Sequence, residues 1–275
     1  DKEKFGQYLF TFLEGYEEMT RATFFKLIHL AYNATLNRSL NPTLLFFHIH
    51  NPTFVESAQF LKDFPNARFL QIIREPIQAL ESWCKIEPKI TDITSMEHEE
   101  NNKFINKFAI VLNYLNNQIL DKSKSNGVLR LEDLKKEPTN TLKKLSDWLG
   151  VKYIDDLKEP SFEGNYYWGI SNTTPDVKGF STESVDRKPG IFFSSEDITR
   201  IKPLFGVFNS FYKYDKLDKN NHKKDLEFVL SELDKPFDFE EKVLKRTKGD
   251  ELSINVQKKY LRILMRNIIE EIKKE

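Results

Sequence analysis

Apolar positions along this chain switch between helical and strand-like spacing several times, and the switches predict its elements. In the first forty residues Phe24, Leu27, Ile28 and Ala31 recur at helical intervals, followed by a turn cluster over residues 37–42. Residues 44–50, LLFFHIH, form a continuous apolar run ending in polar side chains, the pattern of a strand buried on both faces of a parallel sheet. Phe54, Ala58 and Leu61 mark one helix face that Pro65 ends. A second buried strand is predicted over residues 68–74. Pro76 then opens a helix at a position where its missing N–H costs little.

A long amphipathic helix is predicted over residues 97–120 through Phe104, Phe108, Val111, Leu112 and Leu115. A third strand follows over residues 128–131. The next helix, over residues 138–149, turns Leu142, Leu145 and Leu149 inward and ends at Gly150. Residues 152–190 are rich in Gly, Pro, Asn, Ser and aromatics with little periodicity, a length of loop that compact domains reserve for function or leave disordered. Helical spacing resumes at Ile198, Ile201, Leu204 and Phe205. Residues 215–225 read as a solvated linker, and Leu261, Met265, Ile268 and Ile272 mark a closing amphipathic helix. Strands alternating with helices of this length predict an α/β fold with a right-handed parallel sheet. The expected organisation is one α/β domain over residues 1–215 and a helical C-terminal appendage over 216–275.

Charge narrows the partners. The 42 basic and 42 acidic side chains cancel, so no global field draws the chain to nucleic acid or anionic lipid, and any anion site must be local. No apolar run reaches the roughly 18–20 residues that span a membrane. The single cysteine, Cys84, forms no internal disulfide, which fits a reducing compartment and a cytoplasmic location. The chain starts at Asp1 without a methionine, which leaves a targeting segment upstream open. Neither His-Glu-x-x-His nor His-x-Glu…Cys-x-x-Cys occurs, and no metal is expected.

The densest candidate chemistry lies in residues 69–83. An apolar strand ends in Arg74, Pro76 follows, and the helix carries Ser82 eight positions past the arginine and Trp83 beside it. A guanidinium at a strand end and a hydroxyl two helical turns away suit a phosphate, because arginine offers a planar fork of donors matched to an oxyanion. The same spacing also suits an ordinary strand-to-helix junction with a surface arginine. Residues 128–134, VLRLEDL, place Glu132 and Asp133 where a strand gives way to a turn, able to accept backbone N–H groups or simply to order that turn. In residues 186–192, DRKPGIF, Arg187 and Lys188 precede Gly190. Two cations and a glycine that lets the backbone approach suit anion capture, though the same residues also make a common surface turn.

These three segments, in this order, resemble the 3′-phosphoadenosine 5′-phosphosulfate (PAPS)-dependent sulfotransferases, in which an apolar strand leads to Arg-Asp-Pro and then Ser plus an aromatic. Here Glu75 stands for the aspartate, and Leu131 stands where the family often has a tyrosine that contacts adenine. The resemblance covers roughly residues 44–214. It implies a three-layer parallel sheet of the P-loop nucleotide-hydrolase type, PAPS as co-substrate, and a 3′-phosphate held by Arg74, Ser82, Arg187, Lys188 and Gly190. It further implies sulfuryl transfer to a hydroxyl or amine of a small-molecule or saccharide acceptor. His50, two residues before Pro52, would take the acceptor's proton, a task suited to imidazole; His48, on the same strand face, is the lesser candidate. A structural hydrogen bond at the strand end is the other reading of His50.

The family's strongest motif, a Ser/Gly-rich loop with a cation that binds the 5′-phosphosulfate, is missing. No Gly-x-x-Gly or Ser-Gly-Thr-Thr occurs, so that loop either precedes Asp1 or has been lost. A non-catalytic nucleotide- or partner-binding module is therefore the alternative function.

Overall fold

Helix signals at the start of the chain are borne out by side-chain caps. Asp1 accepts the Lys4 N–H at 3.0 Å and opens α1 (Lys2–Leu13), and the Thr20 hydroxyl accepts the Thr23 N–H at 3.1 Å to open α2 (Arg21–Thr35). The computed structural model describes residues 1–41, 44–46, 54–86, 108–109, 112, 126–159, 161–162, 165–166, 180–186, 188–190, 192–244 and 251–274. The chain divides into two compact units, residues 1–69 and 70–275.

In the first unit α1 packs on α2, and a set of rings joins α2 to α3 (Phe54–Asp63). Phe25 meets Phe60 edge-on at 5.7 Å and Phe64 at 5.3 Å, and Phe60 meets Phe69 at 6.1 Å. Arg21 closes the end of the pair with a 3.1 Å bond to Asp63.

The second unit is built around β1 (Phe69–Ile73), which starts at the boundary, and its parallel neighbour β2 (Asn126–Arg130). α4 (Pro76–Ile86) follows β1, and α5 (Leu131–Lys136) and α6 (Pro138–Leu149) follow β2. Gly150 ends α6 with φ +75°, a left-handed cap that glycine takes without strain. Two short strands, β3 (Ser161–Phe162) and β4 (Asn165–Tyr166), pair antiparallel, with Ser161 opposite Tyr166. The later helices among the described residues are α7 (Glu183–Asp186), α8 (Ser195–Ile201), α9 (Gly206–Phe211), α10 (Lys219–Ser231), α11 (Asp238–Leu244) and α12 (Glu251–Ile272).

One apolar cluster unites this unit. Ile73, Ile77 and Leu80 from β1 and α4 join Phe108, Phe193, Phe205, Phe208, Val229, Phe237, Phe239, Leu261 and Met265. The elements after Asp215 thus share their buried surface with the strand-and-helix part. Among them lies a buried guanidinium. Arg200, 1 % exposed, donates to the carbonyls of Glu232 (2.8 Å), Lys235 (2.6 Å) and Pro236 (2.9 Å) and lies 4.0 Å from the Phe237 ring. Arg262 covers the same ring at 5.1 Å while bonding Glu240, which is fully buried. Asp197 accepts the N–H groups of Ser194, Asp238 and Phe239, fastening α8 to α11. Burial pushes the Asp197 carboxyl up and the Arg200 guanidinium down from their ordinary values.

Three expectations are corrected. The three-layer parallel sheet of the P-loop nucleotide-hydrolase type is not what the structure has: the parallel pairing among the described residues is two strands wide, in a mainly helical chain. The alternation of apolar runs with helices overstated the sheet because a short apolar run suits a buried helix turn as well as a strand. The strand predicted over residues 44–50 begins with Leu44, Leu45 and Phe46, which are 46 %, 38 % and 72 % exposed and in no regular element, while residues 47–50 lie outside the described set. A strand needs a ladder partner, and the described residues before them are helical. The solvated linker predicted over residues 215–225 is helical from Lys219 onward, the start of α10. Asp218 caps it by accepting the Asn220 and Asn221 N–H groups, and His222, Leu226 and Val229 are buried at helical spacing. The helix predicted over residues 97–120 lies mostly outside the described residues.

Two outcomes follow for stability. Arg200→Met leaves three carbonyls without their donor and should lower unfolding free energy by about 3 kcal/mol, read by urea denaturation. Unchanged stability would mean that water replaces the guanidinium. In a chain ended at Asp215 the second unit loses Val229, Phe237, Phe239, Leu261 and Met265 from its core, and residues 70–215 should show no cooperative thermal transition of their own. A sharp one would show that residues 70–215 hold a core of their own.

Candidate functional site

Because β1 and β2 run parallel, their carboxyl ends deliver Arg74 and Leu131 to one edge, the edge at which open parallel sheets place ligands. Arg74 is half-buried there and its Nη2 donates to Gln78 Oε1 at 3.2 Å. Glu75 starts α4 by accepting the Gln78 N–H at 2.7 Å. Gln78 and Ser82 are one helical turn apart, so the amide that Arg74 touches and the half-buried Ser82 share one face of α4. The side chains of Trp83 and Cys84 lie outside the described residues, as do His48, His50 and Arg187.

The late loop is brought to the same helix by a residue the sequence pattern passed over. Glu81, 1 % exposed, accepts the N–H groups of Gly190 (2.7 Å), Phe192 (3.3 Å) and Phe193 (3.4 Å) through Oε1. A charged acceptor for three backbone donors fixes the segment carrying Lys188 and Gly190 against α4. Gly190 holds φ +116°, which only glycine adopts freely, and its N–H is spent on Glu81. Gly190 therefore shapes the turn, and Lys188 stands exposed on it. Glu81 was legible in one respect: it occupies the stripe of Ile77 and Leu80, where an apolar residue is expected.

Glu132, also buried, ties the strand ends together. Its Oε1 accepts the Glu75 N–H at 2.9 Å and its Oε2 accepts the Tyr214 hydroxyl at 2.8 Å. Sequence reading placed this carboxylate at its own turn; it serves the opposite strand instead. Burial and then the Glu132 charge push the Tyr214 hydroxyl well above the ordinary tyrosine range, so it stays a donor. The Arg130 guanidinium stacks 4.4 Å from the Tyr214 ring. Asp133 is exposed, 3.7 Å from Arg130 Nε.

Two further groups reach this edge. Gln78 Nε2 donates to Val185 O at 3.4 Å, and Lys135 Nζ donates to Ser181 O at 2.9 Å. Lys136 fastens the same stretch through a 2.9 Å bond to Asp186. The structure thus collects Arg74, Gln78, Ser82 and Lys188 on or beside α4, with Lys135 reaching in from α5. Hydroxyl, amide and cationic donors in that arrangement are chemically fitted to an oxyanion.

No family model, curated protein or solved structure matches the chain. Among the described residues no helix is long and apolar enough to cross a membrane, and no group of three or more His, Cys, Asp or Glu is placed to hold a metal.

Burial, with the Glu132 charge adding, raises the Glu75 carboxyl above its ordinary value. The folded state then holds the proton more tightly than the unfolded chain. Its contribution is fully present below the ordinary carboxylate range and lost as pH rises through the raised value. Glu75→Gln keeps an acceptor for the Gln78 N–H and removes the charge. It should be more stable than wild type at neutral pH, with the difference vanishing in acid. Urea titrations across that range check this, and a less stable variant at neutral pH would show that nearby cations outweigh burial.

Proposed function

We propose that this edge holds the 3′-phosphate of an adenine nucleotide and that the chain is a sulfotransferase. It would move a sulfuryl group from PAPS to a hydroxyl or amine of a small-molecule or saccharide acceptor, in the cytoplasm. The observation that supports this reading is the Glu81 clamp. Two segments more than a hundred residues apart, each resembling a 3′-phosphate-binding element, are bonded to one another by it. Arg74 supplies the charged fork, Ser82 a hydroxyl on the same helix face, and Lys188 a cation on the clamped turn. The reading rests on this site and not on a fold, since the P-loop architecture is absent from the described residues. His50 is the proposed base for the acceptor's proton, with imidazole matched to neutral pH.

A specific observation favours a second reading, a non-catalytic binding module. The sequence holds no Ser/Gly-rich phosphate loop, and the identifiable anion contacts gather at one phosphate. Such a module would bind adenosine 3′,5′-bisphosphate about as well as PAPS and transfer nothing. Removing one donor to the charge that develops in a transition state costs about 2.7–4 kcal/mol, so a chain acting without that loop would turn over very slowly.

Calorimetry with adenosine 3′,5′-bisphosphate tests the shared part. Arg74→Ala should weaken binding by about 2 kcal/mol or more, because a phosphate loses its charged partner; equal affinity removes the assignment. Sulfuryl transfer from PAPS then separates the two readings. In an active enzyme His50→Ala lowers kcat more than it raises the acceptor KM, whereas wild type without turnover leaves the module.

A further inference from the structure

Lys135 is a group that neither strand-end motif pointed to, and its placement gives it a role. It lies on α5 one turn past Glu132, and i,i+3 residues share a helix face. Glu132 uses that face to bond the Glu75 N–H, and Lys135 lies near enough to Arg74 for the two charges to act on one another. Its ammonium contacts the Ser181 carbonyl at 2.9 Å, on the same turn whose Val185 carbonyl takes Gln78, the partner of Arg74. Among the described residues no carboxylate pairs with Lys135, whereas its neighbour Lys136 has Asp186. The bond to the Ser181 carbonyl uses one of three ammonium donors.

We propose that Lys135 and Arg74 hold a single doubly charged phosphate between them, with Lys135 as the group that selects a 3′-phosphorylated nucleotide over one lacking that phosphate; this rests on the nucleotide reading above. Two half-buried cations side by side repel, and a dianion between them turns that repulsion into attraction from both sides. Burial, with the Arg74 charge adding, lowers the Lys135 ammonium from its ordinary value, in the direction two facing cations require. Gln78 holds the guanidinium from the α4 side, while the Ser181 carbonyl positions the ammonium from the other. Lys135 is thus a binding residue and Gln78 a positioning one.

The experiment is calorimetric titration of wild type, Lys135→Met and Lys135→Arg with adenosine 3′,5′-bisphosphate, adenosine 5′-phosphate and inorganic phosphate. Thermal melts confirm that each variant is folded. Lys135→Met should lose affinity for the bisphosphate at least tenfold, leave 5′-phosphate binding unchanged and flatten the salt dependence, and Lys135→Arg should recover most of the loss. A purely structural lysine would not alter the ratio between the two nucleotides. Bisphosphate binding equal in wild type and Lys135→Met overturns the lysine assignment and leaves the nucleotide reading standing. Inorganic phosphate binding that depends on Lys135, with no binding of either nucleotide, keeps the anion pair and overturns the nucleotide reading and the selective role. Absence of binding to all three overturns both. If Lys135→Met fails to fold, Lys135→Arg and Lys135→Gln carry the comparison on the same ratio.

Discussion

The carboxylate of Glu132 joins three parts of the chain, and the site takes its shape from that junction. Parallel strands end with N–H groups that their own ladder does not satisfy, and burying such a donor without an acceptor costs free energy comparable to a lost hydrogen bond. Glu132 supplies the acceptor for the Glu75 N–H with one oxygen and takes the Tyr214 hydroxyl with the other. The start of α4, the start of α5 and the segment after α9 are thereby held at one point. Arg74 directly precedes the bonded Glu75, and Lys135 follows Glu132 by one turn of α5. Glu81 repeats the device one turn from the end of the described part of α4, spending one oxygen on three N–H groups of the 190–193 segment.

Carboxylates used in this way answer a difficulty of a chain with little sheet. A wide parallel sheet would satisfy its own backbone and bury both faces. Two strands cannot, and helices packed around them leave connecting segments whose polar groups need partners. Asp197, Glu81 and Glu132 provide acceptors for the N–H groups, and Arg200 provides donors for three carbonyls before α11. The aromatic rings fill what remains: the Arg200 and Arg262 guanidinium groups both lie over Phe237, and Phe239 stacks on Phe237 at 5.2 Å. The same cluster reaches Ile77 and Leu80 on α4, so the helix carrying the candidate site is seated on a core that the C-terminal helices complete.

Much of the local structure was legible because the signals are local. Pro76 at a helix start, Gly150 in a left-handed cap, the strand before Arg74 and the stripe of Leu261, Met265 and Ile268 each follow from a few neighbouring residues. Where the reading failed, the deciding contact was distant or the local signal was ambiguous. Residues 44–46 have the composition of a buried strand but no strand partner among the described residues, so they are exposed. Residues 215–225 are polar enough for a linker, yet a cap at Asp218 and the burial of His222, Leu226 and Val229 make a helix of everything from Lys219 onward.

For the site, the sequence by itself determined which residues carry charge and where they stand at element ends: Arg74 after a strand, Ser82 two turns on, Lys188 beside a glycine. Which of them meet was decided by tertiary structure alone. Glu81 is a glutamate in an apolar stripe until three N–H groups from beyond residue 189 arrive at it, and Lys135 is one of two adjacent lysines until the fold brings its charge within reach of Arg74. A carboxylate announces that it needs donors, but nothing in its neighbours says where in the chain those donors will come from, because the partners are fixed only when the core closes.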